Sequence, residues 1–275
     1  MQTEELKLTV YGHKVRVSIR PAAGVATSTL LIVNGIGSRL DTLDGLVEHL
    51  DPSLEVIRFD PPGIGGSGAW GVPYGIPMMA AAVIALLDRI GRRDPVDVLG
   101  YSWGGVVAQQ VALQSPLRVR RLVLLSTNTG VMSVPGSMQS MAMMFNPLMA
   151  QASHNDDKTI GEIYGGLARY RPDAVRKLLK ADLESHGRGL ALQLLAAMTW
   201  TTLPMAWFIW QPALILAGSD DPMVPLINAR ILADQIPSGR LHTHEGGHLD
   251  ALLDPERFGP LISKFLTAKR PGVPD

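Results

Sequence analysis

The feature that most constrains this chain is a series of short, almost wholly apolar runs, each followed by a helical pattern. Leu30-Leu31-Ile32-Val33 reads as a strand buried on both faces, and it ends in the turn Asn34-Gly35-Ile36-Gly37. Leu54 to Asp60, Val96 to Leu99, Val119 to Ser126 and Ala213 to Ala217 repeat the pattern, with a weaker sixth run from Arg240 to His244. Helical periodicity fills 39–50, 75–91, 104–115, 226–235 and 249–268. Continuous apolar strands alternating with helices predict an α/β fold, with a mostly parallel central sheet covered by helices on both faces. Lys7 to Tyr11 and His13 to Arg20 instead alternate around Gly12, which predicts an antiparallel hairpin at the sheet edge.

One stretch breaks the rhythm. From Thr129 to about Trp210 the sequence shows helical pieces and no convincing strand, and it holds eight of the twelve Met and three of the five Trp. An insertion there, between one core strand and the next, predicts a helical cap over one end of the sheet. The expected organisation is a core of residues 1–128 and 211–275, interrupted by a cap at 129–210.

Lys+Arg and Asp+Glu are each 25, so the chain carries no excess positive charge for holding nucleic acid. It has no Cys, which excludes a disulfide framework, a cysteine nucleophile and a thiolate metal site. The start, MQTEELKL, does not read as a secretory signal. The longest apolar run, Met78 to Leu87, is ten residues and stops at Asp88-Arg89, too short for a transmembrane segment. A cytoplasmic location is expected.

Gly100-Tyr101-Ser102-Trp103-Gly104 matches G-x-S-x-G, directly after the strand VDVL and before the helical pattern of Val106 to Gln114. A strand-to-helix turn this sharp forces its central residue into strained geometry and presents the serine at a helix N-terminus. Ser102 is therefore the expected nucleophile. A serine hydroxyl needs a base and an orienting acid. In the chain order Ser, acid, His, the base is His248, in the glycine-flanked loop before the last helix. The acid is Asp221, on the loop that leaves the strand ALILA; its rival Asp220 would hydrogen-bond the loop backbone instead. Asp250 reads as a helix N-terminal acid. His242, His244 and His248 lack an HExxH arrangement, so neither a metal nor any other cofactor is expected.

The oxyanion requires backbone N–H donors. Trp103, after the nucleophile, is one. Ile36 is the expected second, with Gly35 the alternative, and Asn34 either braces that turn or touches substrate. Asp60-Pro61-Pro62-Gly63-Ile64-Gly65-Gly66-Ser67 fails as a dinucleotide or phosphate loop, because Trp70, Pro73 and Pro77 delay the helix and no G-K-[S/T] follows. It reads as a structural loop shaping the entrance.

The NGIG turn, the DxPGxGGS loop, the GxSxG elbow, the AGxDDPxxP loop and GGH together resemble an α/β-hydrolase. More narrowly, the chain resembles the intracellular medium-chain-length poly(3-hydroxyalkanoate) depolymerases, from about Val15 to Leu266. Telling stretches are Ile32 to Gly37, Leu50 to Asp60, Ser102 to Gln110, Ile163 to Gly166, Gln211-Pro212 and Leu216 to Asn228. The resemblance implies a triad of Ser102, Asp221 and His248, a polyester substrate of (R)-3-hydroxy acids, and association with the surface of cytoplasmic storage granules. Met side chains suit an irregular apolar cleft, which makes Met132, Met141, Met144 and Trp200, with Asn34 and Gly35, the candidate substrate contacts; packing within the cap would use Met equally well. Two alternatives carry other substrates or none: a small-ester hydrolase, lactonase or perhydrolase on the same triad, and a binding protein with an idle triad.

Overall fold

The computed structural model describes residues 3–145, 155–184 and 188–268. Eight strands form one sheet: β1 (Glu4–Val10), β2 (His13–Arg20), β3 (Ser28–Val33), β4 (Leu54–Phe59), β5 (Val96–Tyr101), β6 (Val119–Leu125), β7 (Ala213–Gly218) and β8 (Gly239–His244). Their spatial order is β1-β2-β4-β3-β5-β6-β7-β8. β1 and β2 form the expected edge hairpin, β2 meets β4 antiparallel, and all later pairings are parallel. The four strands β4, β5, β6 and β7 are buried almost throughout, which is why they read as unbroken apolar runs. β8 lies at the far edge and is only half-buried, so its sequence pattern is weaker.

Helices α1 (Asp44–Glu48), α2 (Ile76–Arg89) and α3 (Trp103–Gln114) follow β3, β4 and β5 in turn. The segment read as one helix over 39–50 is a 3-10 turn, Leu40–Leu43, continued by the short α1. Between β6 and β7 come α4 (Met138–Phe145), α5 (Asp157–Tyr164), α6 (Pro172–Glu184) and α7 (Arg188–Met198). α8 (Leu226–Gln235) follows β7, and α9 (Asp250–Leu253) and α10 (Pro255–Thr267) follow β8. The single helix expected over 249–268 is thus two. Asp254 breaks it with φ −134° and ψ 57°, because the residue before Pro255 is driven out of the helical region.

Two apolar layers sandwich the sheet. α2, α3 and α8 bury Val83, Leu87, Val107, Val111 and Leu232 on one face; α1, α9 and α10 bury Leu46, Leu252, Phe258, Ile262 and Phe265 on the other. Among the described residues between β6 and β7, the only strand-like pairing is an isolated antiparallel bridge, Gly130 to Thr201. Val131 N–H donates to Trp200 O and Thr202 N–H to Thr129 O, so the chain leaves and re-enters the core side by side.

The strand order positions the site. β3 pairs with β4 on one side and β5 on the other, so chain direction across the sheet reverses between β3 and β5. At such a switch point the loops leaving the carboxyl ends diverge and open a crevice. Val33 is paired with Gly100, which sets the NGIG turn beside Ser102.

Candidate active site

Ser102 sits between β5 and α3 with φ 52° and ψ −118°, a backbone conformation that non-glycine residues adopt only when the surroundings impose it. The surroundings do so here. Ser102 N–H donates to Leu125 O (2.9 Å), while its carbonyl accepts from Gly105 N–H (2.9 Å) and from the Thr127 hydroxyl (2.6 Å). The side chain is thereby held out over the ends of β5 and β6.

The structure brings the three sequence candidates together. His248 Nε2 lies 3.1 Å from Ser102 Oγ, and His248 Nδ1 lies 2.8 Å from Asp221 Oδ2. Asp221 is almost fully buried, and its second oxygen accepts the N–H groups of Met223 and Val224, each at 2.9 Å. One carboxylate therefore shapes its own loop and faces the imidazole. His248 is fixed through its backbone: its N–H donates to Tyr164 O (2.8 Å), and the Tyr101 hydroxyl donates to its carbonyl (3.3 Å). Burial, with Asp221 close by, pushes the Tyr101 hydroxyl well above its ordinary pKa, so it stays a neutral donor.

Asp220 takes a different part. Its carboxylate accepts Gly166 N–H (2.8 Å) and pairs with the Arg169 guanidinium, which holds it below the usual carboxylate range. Asp250 opens α9 and accepts Leu167 N–H (2.9 Å). His244 is buried against the ring of Phe258, and burial together with Arg257 pushes its pKa down to about 4.

Around Ser102 is a cavity of about 440 Å³. Ile36, Trp103 and His248 line it with Ser102, so both residues expected to donate to the oxyanion border the same space as Ser102. Gly35 lies directly behind: a Cβ there would stand 3.6 Å from Ser102 Cβ and 3.0 Å from the Tyr101 ring. Asn34 is buried, and its amide N–H donates to Arg39 O, so it braces the turn and is absent from the cavity wall. The loop after β4 is likewise braced, by Asp60 accepting Leu40 N–H and Gly66 N–H, each at 2.7 Å.

The apolar contacts need correction. Met141 faces the cavity, but Met132 is exposed outside it, and Trp200 lines a separate surface groove with its indole N–H on Gln110 Oε1 (2.8 Å). The side chain of Met144 lies outside the described residues. Instead the wall is built from Leu194, Ala197 and Met198, on one face of α7, with Met223 and Val224 of the acid loop and Val106 of α3. Spacing i, i+3, i+4 along α7 was the signal available for the first three. Met223 and Val224 turn inward because Asp221 holds their N–H groups, which the sequence does not display.

The family model described as alpha/beta hydrolase fold matches residues 28–255. The chain is 39% identical over 258 residues to a poly(3-hydroxyalkanoate) depolymerase of Ectopseudomonas oleovorans, covering 94% of this chain and 90% of the relative. The chain belongs to the α/β-hydrolase family, on the branch of that depolymerase. It is an ester hydrolase. Among solved structures, a hydrolase from Pseudomonas aeruginosa PA01 matches with a TM-score of 0.81 at 25% identity, over 97% of this chain and 98% of that one. An enol-lactonase from Burkholderia xenovorans LB400 matches with a TM-score of 0.83 at 21% identity, over 96% of this chain and all of that one, a likeness of fold. Among the described residues no helix is long and apolar enough to cross a membrane.

Proposed function

We propose that this α/β-hydrolase cleaves the ester bonds of a medium-chain-length poly(3-hydroxyalkanoate), using Ser102, His248 and Asp221 as a catalytic triad. The observation that carries the reading is the Ser102–His248–Asp221 hydrogen-bond chain opening into a cavity whose wall, among the described residues, holds no Lys, Arg, Asp or Glu. An uncharged, largely aliphatic wall favours a neutral acyl chain and costs a free carboxylate its hydration. The 39% identical relative, named as a depolymerase of this polyester, supports the substrate class.

In the proposed cycle His248 Nε2 takes the Ser102 proton as Oγ attacks the ester carbonyl. The oxyanion is held by the N–H groups of Trp103 and Ile36. The C–O bond to the alcohol end of the polymer breaks, and His248 returns the proton to that oxygen, leaving an acyl-serine. Water deprotonated by His248 then attacks the acyl carbon. Ser102 leaves with the proton, and a hydroxy acid or oligomer is released. Asp221 accepts Nδ1–H throughout, holding the tautomer in which Nε2 is the base. Residues 129–210 serve as the lid, with α4 and α7 contributing Met141, Leu194, Ala197 and Met198 to the acyl site. Exposed Trp207, Phe208 and Trp210 on the same segment support contact with a storage-granule surface.

The test is hydrolysis of purified medium-chain and short-chain polyhydroxyalkanoate suspensions beside p-nitrophenyl butyrate and octanoate, with Ser102→Ala as control. Clearing of the medium-chain suspension, lost in the variant, is expected. Ester cleavage without clearing of either polymer would refute the substrate and leave a small-ester hydrolase. Activity undiminished in Ser102→Ala would refute the triad.

A further inference from the structure

Gln193 lies on α7, fully buried, and forms no part of the cavity wall. It nevertheless touches both sides of the site. Its side-chain Oε1 accepts Gly37 N–H at 2.8 Å, and its main-chain carbonyl accepts the indole N–H of Trp103 at 3.2 Å. Gly37 follows Ile36, and Trp103 follows Ser102. One residue thus holds the immediate neighbour of one oxyanion donor and the side chain of the other.

From these contacts we propose that Gln193 is a positioning residue, which sets the spacing of the two oxyanion donors and ties that spacing to the seating of α7. The proposal rests on the ester-hydrolase mechanism given above. Beyond Gly37 the loop is anchored separately. Asp182 of α6 accepts Arg39 N–H at 3.0 Å and the Thr42 hydroxyl at 2.9 Å, and Asp60 accepts Leu40 N–H at 2.7 Å. Those anchors act after the turn, whereas Gln193 acts within it. The same helix presents Leu194, Ala197 and Met198 to the cavity, so an acyl chain packed against α7 stabilises the element that holds the donors in place.

A packing role for Gln193 makes a different forecast. Its Nε2 is buried with no hydrogen-bond partner, and such a group destabilises a fold. Methionine has nearly the same shape and no such donor. If Gln193 only filled space, Gln193→Met would leave kcat and KM close to wild type. If it positions the donors, Gln193→Met frees the turn while the fold persists. A misplacement of about 1 Å in a catalytic group costs up to about 100-fold in rate.

The experiment is steady-state kinetics of the full chain on p-nitrophenyl butyrate and octanoate, with thermal unfolding measured in parallel. The variants are Gln193→Met, Trp103→Phe and their combination, with Ser102→Ala as reference. Trp103→Phe keeps the aromatic ring and the backbone N–H and removes only the indole donor. Each single variant is expected to lower kcat by about 10- to 100-fold, with KM changed less than about threefold. The combination should lose less than the product of the two, because both loosen one coupling. Gln193→Met retaining kcat within about twofold, or raising KM alone, would overturn the proposal while an inactive Ser102→Ala left the ester-hydrolase mechanism standing. An active Ser102→Ala would remove that mechanism instead. Should Gln193→Met fail to fold, Trp103→Phe decides alone: kcat unchanged overturns the proposal, and a fall with KM preserved supports it.

Discussion

Gly104→Ala isolates what the sharp turn after β5 demands. A Cβ at residue 104 would lie 2.5 Å from the Val33 carbonyl carbon and 2.6 Å from Asn34 O, and closer still to Val33 O. Real Cβ atoms essentially never approach below 3.0 Å, and ordinary contact begins at 3.4 Å. All three atoms are backbone, at the end of β3 and the start of the NGIG turn, so no rotamer change relieves the clash. The start of α3 and the end of β3 must separate by about 1 Å, a displacement that costs up to about 100-fold in rate when it reaches a catalytic group. Overpacking of this kind also costs about 1–3 kcal/mol, which lowers Tm by roughly 2–10 °C for a chain of this size. Gly45→Ala is the matched control. Gly45 lies within α1, and its Cβ would meet only Pro255 Cγ at 3.6 Å. Alanine in a helix interior gains about 0.5–1 kcal/mol over glycine, so Tm should rise slightly with kcat unchanged. Both are measured by thermal unfolding and by p-nitrophenyl ester turnover per phosphonate-titrated serine. Wild-type kcat and Tm in Gly104→Ala would refute the reasoning.

Three further outcomes are expected. Asp221→Asn should lower kcat by about 10⁴-fold with little loss of stability, because the amide oxygen can still accept from Met223 and Val224 while its NH₂ forces the wrong imidazole tautomer; a kcat within tenfold of wild type, by the same ester assay, would sink that assignment. Asp220→Asn should keep most of kcat, since its partners are Gly166 and Arg169, away from the imidazole; equal loss in the two Asp variants would contradict the distinction. Asp182 gives a pH signature. Burial raises its carboxyl from 3.8 to about 6 against the pull of Arg39 N–H, Thr42, Ser38 and Arg39. The folded state therefore keeps the proton that the unfolded chain releases, and stability from this group falls as pH rises from 3.8 through about 6, by roughly 3 kcal/mol at the most. Asp182→Asn lacks that dependence, so its Tm relative to wild type should climb between pH 4 and pH 7; a constant difference across that range would refute it.

The parallel core was legible because strands buried on both faces leave a mark that does not depend on context. Leu30 to Val33 and Ala213 to Ala217 have no polar face to disguise them. Chain order was enough to nominate Ser102, Asp221 and His248, since each follows a strand and has small or loop-forming neighbours. Legibility fails where orientation is decided by partners remote in sequence. Met132 and Met198 look alike on paper and both are largely exposed, yet only Met198 borders the cavity, because α7 is registered against Trp103 and Gly37 through Gln193. Asn34 is polar and beside the turn holding Ser102, which left bracing and substrate contact both open; its amide is spent on Arg39 O within the same loop, the bracing alternative. The split of the last helix was readable in principle, from the Asp254-Pro255 pair.

Described residues between β6 and β7 are bound into the loops that carry Asp221, His248 and Ile36 at a level below side-chain packing. Tyr164 O holds His248 N–H, Asp220 holds Gly166 N–H, Asp250 holds Leu167 N–H, and Gln193 holds Gly37 N–H. Gly165, at φ 65°, passes so close to Asp220 that a side chain there would enter its carbonyl oxygen, and Gly166 and Gly247 abut in the same way. This gives Ile163 to Gly166, a stretch of the family resemblance with no reactive group in it, a physical reason: only bare backbone lets the acid loop, the base loop and the crossing chain occupy one small volume. His248 and the turn holding Ile36 thus each donate a hydrogen bond to the segment between β6 and β7, and Asp220, next to the proposed triad acid, accepts one from it. Residues seated this way belong to the frame that holds the surroundings of Ser102 and His248. A change in its helices that improved the fit of an acyl chain would be transmitted to Ile36 and His248 by hydrogen bonds of about 2.8 Å at each end, so acyl selectivity and turnover are expected to vary together in this protein.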